Sequence, residues 1–241
     1  MKAYQFQSKP FFILNFVSLL LLFSWSNATT REYWDYLDHQ TFIVLNQSLV
    51  EFHSIWRGFW AILSVRIADL IPLFLIGLFF YFDDVLFKNK HKMMGLIGFV
   101  TLLILMLLMR EMMNLYVEYA NLGRKSPTLV VDSALRLSSM YPGLGLKDMS
   151  AHSFPGDHAA VLFTWLGYCL FFARNRWRWL VFIIVLVFSM PRLMAGAHWF
   201  SDVMVGGVSI AMTTLAFGLY TPLLNYINKT LENIVSKFLT K

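Results

Sequence analysis

The chain has 241 residues, of which 58 % are hydrophobic, 17 % aromatic and only 14 % charged. Soluble domains carry nearer a quarter charged residues, so this balance excludes an ordinary soluble globule and points to a membrane protein. The formal net charge of +6 fits an orientation bias and attraction to anionic lipid, and its distribution does not call for nucleic acid.

Six apolar runs approach the length of a membrane crossing, taking some flanking aromatic or small residues: 11–25, 67–82, 94–109, 159–173, 179–190 and 203–220. The first follows Lys2 and Lys9, as a signal peptide would. It exceeds the usual signal core and ends in a poor cleavage site, "SNATT", so a retained span is expected. In the stretch 27–66, Phe42, Leu45, Leu49 and Phe52 recur at helical spacing with Asn46, Gln47 and Glu51 on other faces. That pattern suits a helix lying in the interface plane, and equally an ordinary packed helix. Beyond the second run comes "FKNKHKM", and beyond the third a long polar loop, 110–157, rich in turn formers; loops of this length usually do something. The lone Cys169, inside the fourth run, has no disulfide partner and reads as a small buried hydrophobe.

Basic residues orient the bundle. The segments 1–9, 84–93, 174–178 and 224–241 hold more than half of the 20 Lys and Arg, which places them and both termini in the cytoplasm. The expected architecture is all-α: one integral membrane domain over 1–241, a bundle of six transmembrane helices with an interfacial helix and an outer-face active site.

Three fragments on that outer face can do chemistry. In "PRLMAGAHWFSD", His198 and Asp202 are four apart and share one face of a helix. A carboxylate holding Nδ1–H leaves Nε2 as a nucleophile or base, and Arg192 just upstream can grip two phosphate oxygens. In "SFPGDHAAVLF", Pro155 and Gly156 turn the chain into the fourth span, and His158 falls in the first helical turn, where an anion is favoured. Asp157 is a plausible cap there. From His158 to Arg192 is 34 residues with a basic run midway; each leg covers about 25 Å, one crossing down and one back. Both histidines therefore surface on the same side. "GRKSPT" adds Arg124 and Lys125 from the outer loop. No thiol pair, carboxylate cluster or HExxH spacing suggests a metal, so the fragments fit phosphoryl transfer through histidine with no cofactor.

Arg192-x5-His198-x3-Asp202 resembles the third signature of the type 2 phosphatidic-acid phosphatase superfamily, the fragment ending at His158 its second, and the loop around Arg124 its first. Departures are visible. Pro155-Gly156-Asp157-His158 lacks the usual serine, Pro191 precedes Arg192 in place of serine, Val117 stands where the first signature has lysine, and its proline comes late, at 127. The wording looks most like the branch that moves a phosphate from undecaprenyl diphosphate to the 1-phosphate of lipid A at the periplasmic face of the bacterial inner membrane.

The resemblance implies roles. His198 attacks phosphorus and becomes a phosphohistidine, Asp202 orients it, and His158 is acid then base. Arg192, Arg124 and Lys125 hold the equatorial oxygens, and Gly156 lets backbone N–H groups approach. Asp157 could cap the helix, bind Arg124 or steer the acceptor. Arg66 and Asp69, three apart, resemble an Arg-x-x-Asp of that branch; they are either a local ion pair or part of an acceptor site for a second phosphate. A hydrolase acting on undecaprenyl diphosphate or a related lipid phosphate would share every one of these residues. A non-enzymatic lipid carrier would leave the gathered histidines and cations unexplained. Oligomeric state is not legible.

Overall fold

The computed structural model describes residues 6–88, 91–173, 175–227 and 229–230; Lys2, Lys90, Arg174 and residues 231–241, part of the expected basic bias, lie outside them. The described residues form helices and connecting loops, with a single isolated β-bridge, Val65 to Leu146. The helices are α1 (Ser8–Ser26), α2 (Ala28–Glu51), α3 (Ser54–Ser64), α4 (Leu70–Tyr81), α5 (Lys92–Tyr119), the single turn α6 (Leu137–Met140), α7 (Asp157–Phe172), α8 (Asn175–Met194) and α9 (Val208–Leu219). A 3₁₀ turn, Arg66–Asp69, precedes α4, and a π-helical stretch, Asp202–Gly207, leads into α9.

All six apolar runs are helical, but they are not equal. Among the described residues, four helices are long and apolar enough to cross a membrane: α1, α5, the Arg176–Met194 part of α8, and Asp202–Leu219. The other two are shorter, 16 residues in α7 and 12 in α4. The run expected to begin at 67 yields to the 3₁₀ turn, because Val65 is extended and bridged to Leu146; Pro72 then sits in the first turn of α4, where its missing N–H is harmless. In the other direction, α8 continues past 190 through Pro191. The 42–52 stripe belongs to α2, which turns Phe42, Asn46 and Leu49 onto protein; Asn46 both donates to and accepts from the Leu135 backbone (3.0 and 2.8 Å).

α9 is the central helix, contacting α1, α5 and α7, while α7 packs on α8. The core beneath the site is aromatic: Trp165 and Tyr168 of α7 meet Phe79 and Phe80 of α4, Phe99 of α5 and Leu215 of α9. Tyr168 donates its hydroxyl hydrogen to the Gly95 carbonyl at 2.7 Å, so its polar end is satisfied. α1 buries little of itself and shows Phe12, Phe16, Leu19, Leu20 and Phe23 outward, the face expected of a helix against lipid. A polar seam, Ser18 to the Ser209 carbonyl and Thr213 hydroxyl (3.1 and 3.0 Å), ties it to α9.

Where α7 passes the start of α9, small residues let backbones touch. A side chain at Gly207 would place its Cβ 2.7 Å from that of Ala159 and 3.2 Å from main-chain atoms of Ala159 and Ala160. Backbone cannot step aside as a flexible side chain can. Gly207→Val is therefore expected to destabilise the protein by about 1–3 kcal/mol, read as a lower midpoint of thermal unfolding in detergent; an unchanged midpoint would mean that this crossing is looser than it looks.

Candidate functional site

The site gathers where α7 begins, α8 ends and the π-helical stretch starts. α8 finishes in a tight turn: Ala197 and His198 N–H both reach the Arg192 carbonyl (2.9 and 3.3 Å), and Gly196 takes φ +72°. Only glycine suits that position, since a Cβ would also meet Thr128 at 2.6 Å and Phe42 at 2.8 Å. The turn places His198 outside any helix, so it and Asp202 do not share a helical face as expected.

His198 is nearly buried, and its Nδ1 lies 2.7 Å from the Ser153 carbonyl but 3.5 Å from Asp202 Oδ2. A carbonyl only accepts, so Nδ1 carries the hydrogen and Nε2 keeps its lone pair. The expected tautomer arises, but the backbone sets it, with the carboxylate next to it. Asp202, wholly buried, is held from two sides: Oδ2 accepts the Trp199 N–H (2.7 Å), and Oδ1 accepts Arg124 Nε and Nη2 (3.1 and 2.6 Å).

Arg124, expected to hold phosphate oxygens, is engaged here by protein. Besides Asp202, its Nη1 donates to Asp38 Oδ2 (2.7 Å) and its Nη2 to the Ser201 hydroxyl (2.5 Å), so all three nitrogens are engaged by protein. Asp38, 2 % exposed on α2, also accepts the Ser201 N–H and hydroxyl, both at 2.7 Å. Burial raises the Asp38 carboxyl above the usual range, against the pull of Arg124. Burial alone would weaken the guanidinium charge, yet Asp202 and Asp38 hold it above the usual arginine range. Trp25, stacked on Phe154 at 3.7 Å between centroids, donates to Ser201 Oγ at 3.1 Å and closes the cluster.

Gly156, expected to bring its backbone N–H to phosphate, is engaged likewise. Its N–H is spent on the Asp202 carbonyl (3.0 Å), and a Cβ would lie 2.9 Å from that same oxygen. The close approach that glycine allows is to the backbone of Asp202. Lys125 keeps an exposed side chain, and its carbonyl accepts the Trp199 indole hydrogen at 2.8 Å.

The opposite side of the cluster is built on Asp69. Its carboxylate accepts Arg192 Nη2 on both oxygens (2.6 and 2.5 Å) and lies 3.6 Å from His158 Nδ1. Arg192 also donates Nη1 to the Ser64 carbonyl (3.1 Å) and is almost wholly buried. His158 Nε2 meets the Phe188 carbonyl at 3.1 Å, which leaves Nδ1 facing Asp69. Pro191, inside α8, lacks the N–H that would bind the Val187 carbonyl in a regular helix. Asp157 pairs with Arg110 of α5 (2.8 Å) and not with Arg124. Arg66 is exposed and forms no ion pair with Asp69 among the described residues.

Four contributors escaped sequence reasoning: Asp38, Ser201, Arg110 and Lys147. Arg110 carried a signal, a charge closing an apolar run, whereas Asp38 sat in an unremarkable polar stretch. Lys147 arrives through the bridge to Val65: its N–H donates to the Ser64 carbonyl (3.1 Å), and Arg66 N–H donates to Gly145 (3.4 Å). Burial, then Arg192, lowers its ammonium below the usual lysine range.

Removing one partner of a buried ion pair strands the others. Asp38→Ala is expected to cost about 3–5 kcal/mol, measured as unfolding of the detergent-solubilised protein. Asp38→Asn, which retains an acceptor for Ser201, should recover part of that loss. Equal stability of Asp38→Ala and the parent would show that Arg124 needs only Asp202.

Residues 122–226 match the PAP2 superfamily. The chain is 30 % identical to lipid A 1-diphosphate synthase of Escherichia coli (strain K12) over 223 residues, 88 % of this chain and 87 % of that protein. A crystal structure of Aquifex aeolicus LpxE aligns over 73 % of this chain and 92 % of that one, at 17 % identity and a TM-score of 0.46. The likeness to the synthase runs through nearly the whole of both chains and takes in all three fragments that meet at His198: the chain belongs to the PAP2 superfamily of lipid phosphatases and phosphotransferases.

Proposed function

We propose that this protein is a phosphotransferase that moves the terminal phosphate of undecaprenyl diphosphate to the 1-phosphate of lipid A through a phosphohistidine. The carrying observation is His198: with Nδ1–H bound to the Ser153 carbonyl, Nε2 keeps its lone pair for attack. Nε2 forms a bond to the terminal phosphorus while the bond to the lipid phosphate oxygen breaks. That lipid phosphate takes a proton from Nδ1 of His158, which enters the step as the imidazolium, its Nε2–H staying on the Phe188 carbonyl. A phosphate oxygen of lipid A then attacks the phosphohistidine, His158 recovers the proton, and His198 is released. Arg192 holds the transferred group as charge spreads over its oxygens, and Asp202, clamped by Arg124, offsets the positive imidazole. Arg66 and Asp69 border the place an acceptor phosphate would occupy, with Asp157 nearby. The 30 % identity to a protein named lipid A 1-diphosphate synthase supports lipid A as the acceptor.

The reading includes placement. α1, α4, α5, α7, α8 and α9 form six spans of a single domain over 1–241 in the bacterial inner membrane, with α4 and α7 completed by the turns before them. The site faces the periplasm, on the side opposite the basic segments. α2 and α3 run along the headgroup layer, supported by the exposed Phe52, Ile55, Trp56 and Phe59 at their junction.

The test uses purified protein in detergent with undecaprenyl diphosphate labelled in its terminal phosphate. Label should pass to lipid A, and His198→Ala should slow that by about 10³-fold or more. Free phosphate released at the same rate with and without lipid A would make the protein a hydrolase, and an active His198→Ala protein would remove the phosphohistidine.

A further inference from the structure

Lys147 lies in the outer loop, outside every signature, yet it is fixed beside Arg192. The Ser64 carbonyl accepts both Arg192 Nη1 and the Lys147 N–H, each at 3.1 Å. The bridge from Val65 to Leu146 and the bond from Arg66 N–H to Gly145 staple this loop to the turn carrying Arg66 and Asp69. The Lys147 side chain is half-buried, on a backbone fixed beside the Arg192 guanidinium and the turn that carries Arg66 and Asp69. Among the described residues no carboxylate comes within ion-pair distance of its ammonium. Asp69 is already engaged by Arg192, and Asp157 by Arg110. A cation held at such a place without an anion of its own is costly unless a ligand supplies one. Burial has already removed part of its water, which strengthens any bond it makes to a phosphate oxygen.

We propose that Lys147 is a phosphate ligand of the second subsite, holding the lipid phosphomonoester that stands across the transferred phosphoryl group from His198. This rests on the phosphotransfer reading above. The same chemistry appears twice in one cycle, as the departing lipid phosphate of the donor and as the attacking lipid phosphate of the acceptor, and one cation serves both. Arg192 grips the phosphoryl group in flight, and Lys147 its neighbour.

The experiment separates the two lipids. In one arm, labelled undecaprenyl diphosphate is mixed with enzyme and phosphohistidine is trapped by alkaline quench. In the other, preformed phosphoenzyme is chased with lipid A or left to decay in water. Lys147→Met keeps the apolar stem and removes the charge. It should slow phosphoenzyme formation, and should lower the ratio of transfer to water decay, each by about 10- to 100-fold, the worth of one charge-assisted hydrogen bond. Lys147→Arg should bring both back to within a few-fold of the parent. A loss in one arm alone assigns the contact to that lipid's phosphate. Rates unchanged in both arms, transfer and water decay slowed equally, or an arginine variant as impaired as the methionine one would each overturn the assignment while leaving phosphotransfer intact. A parent protein that forms no phosphohistidine would overturn both.

Discussion

One guanidinium decides how this site is assembled. Arg124 reaches from the loop after α5 between Asp202, at the start of the π-helical stretch, and Asp38, midway along α2. Three segments distant in sequence are thus joined by charge in a place almost without water, where an unpaired member would be far more expensive than the pairs are profitable. The same contacts fix Asp202 beside His198 and hold Ser201 against Trp25. Two carboxylates and one guanidinium leave an excess of one negative charge behind the imidazole. A phosphohistidine is positively charged at its ring, so a fixed negative field behind it, with no solvent to reorganise, favours that state.

The third fragment announced the chemistry because its elements are local: an arginine, a histidine and an aspartate within eleven positions can be read as a unit. The six apolar runs were equally legible, since hydropathy needs no knowledge of partners. What the sequence did not disclose were choices made across distance. Arg124 and Arg192 look alike as arginines near a histidine, yet one clamps Asp202 and the other shares Asp69 with His158. Only the packing of α2 against the loop decides this, and α2 had been read for its apolar stripe, one residue of which stands four positions from Asp38. Gly156 shows the same limit. Its lack of a Cβ signalled close approach, but the approaching group is the Asp202 carbonyl.

Helix irregularity at the site follows from the same demands. A strictly helical 192–207 would have kept His198 and Asp202 on one continuous face. The chain instead stops α8 with Gly196 at positive φ and restarts in a π-helical stretch, which turns His198 Nδ1 toward the Ser153 carbonyl. Such interruptions recur at functional sites because they re-aim side chains at modest cost. Rigidity returns immediately below, where Gly207 lets α9 close on Ala159 and the aromatic core of α4, α5 and α7 fills the interior.

Asp69 sets the charge of the front of the site. It satisfies Arg192 with two short bonds and stands beside His158, the contacts a phosphate oxygen would make under the phosphotransfer reading. A buried arginine cannot shed its proton, so without a substrate it needs an anion from the protein. A lipid phosphate entering here meets a cation already paired, and gains only the difference between its own bonds and those of a carboxylate. An anion of two charges makes that difference favourable where one of a single charge would not. Under the phosphotransfer reading, competition with Asp69 would favour a phosphomonoester over the carboxylate and singly charged phosphodiester groups of a membrane surface.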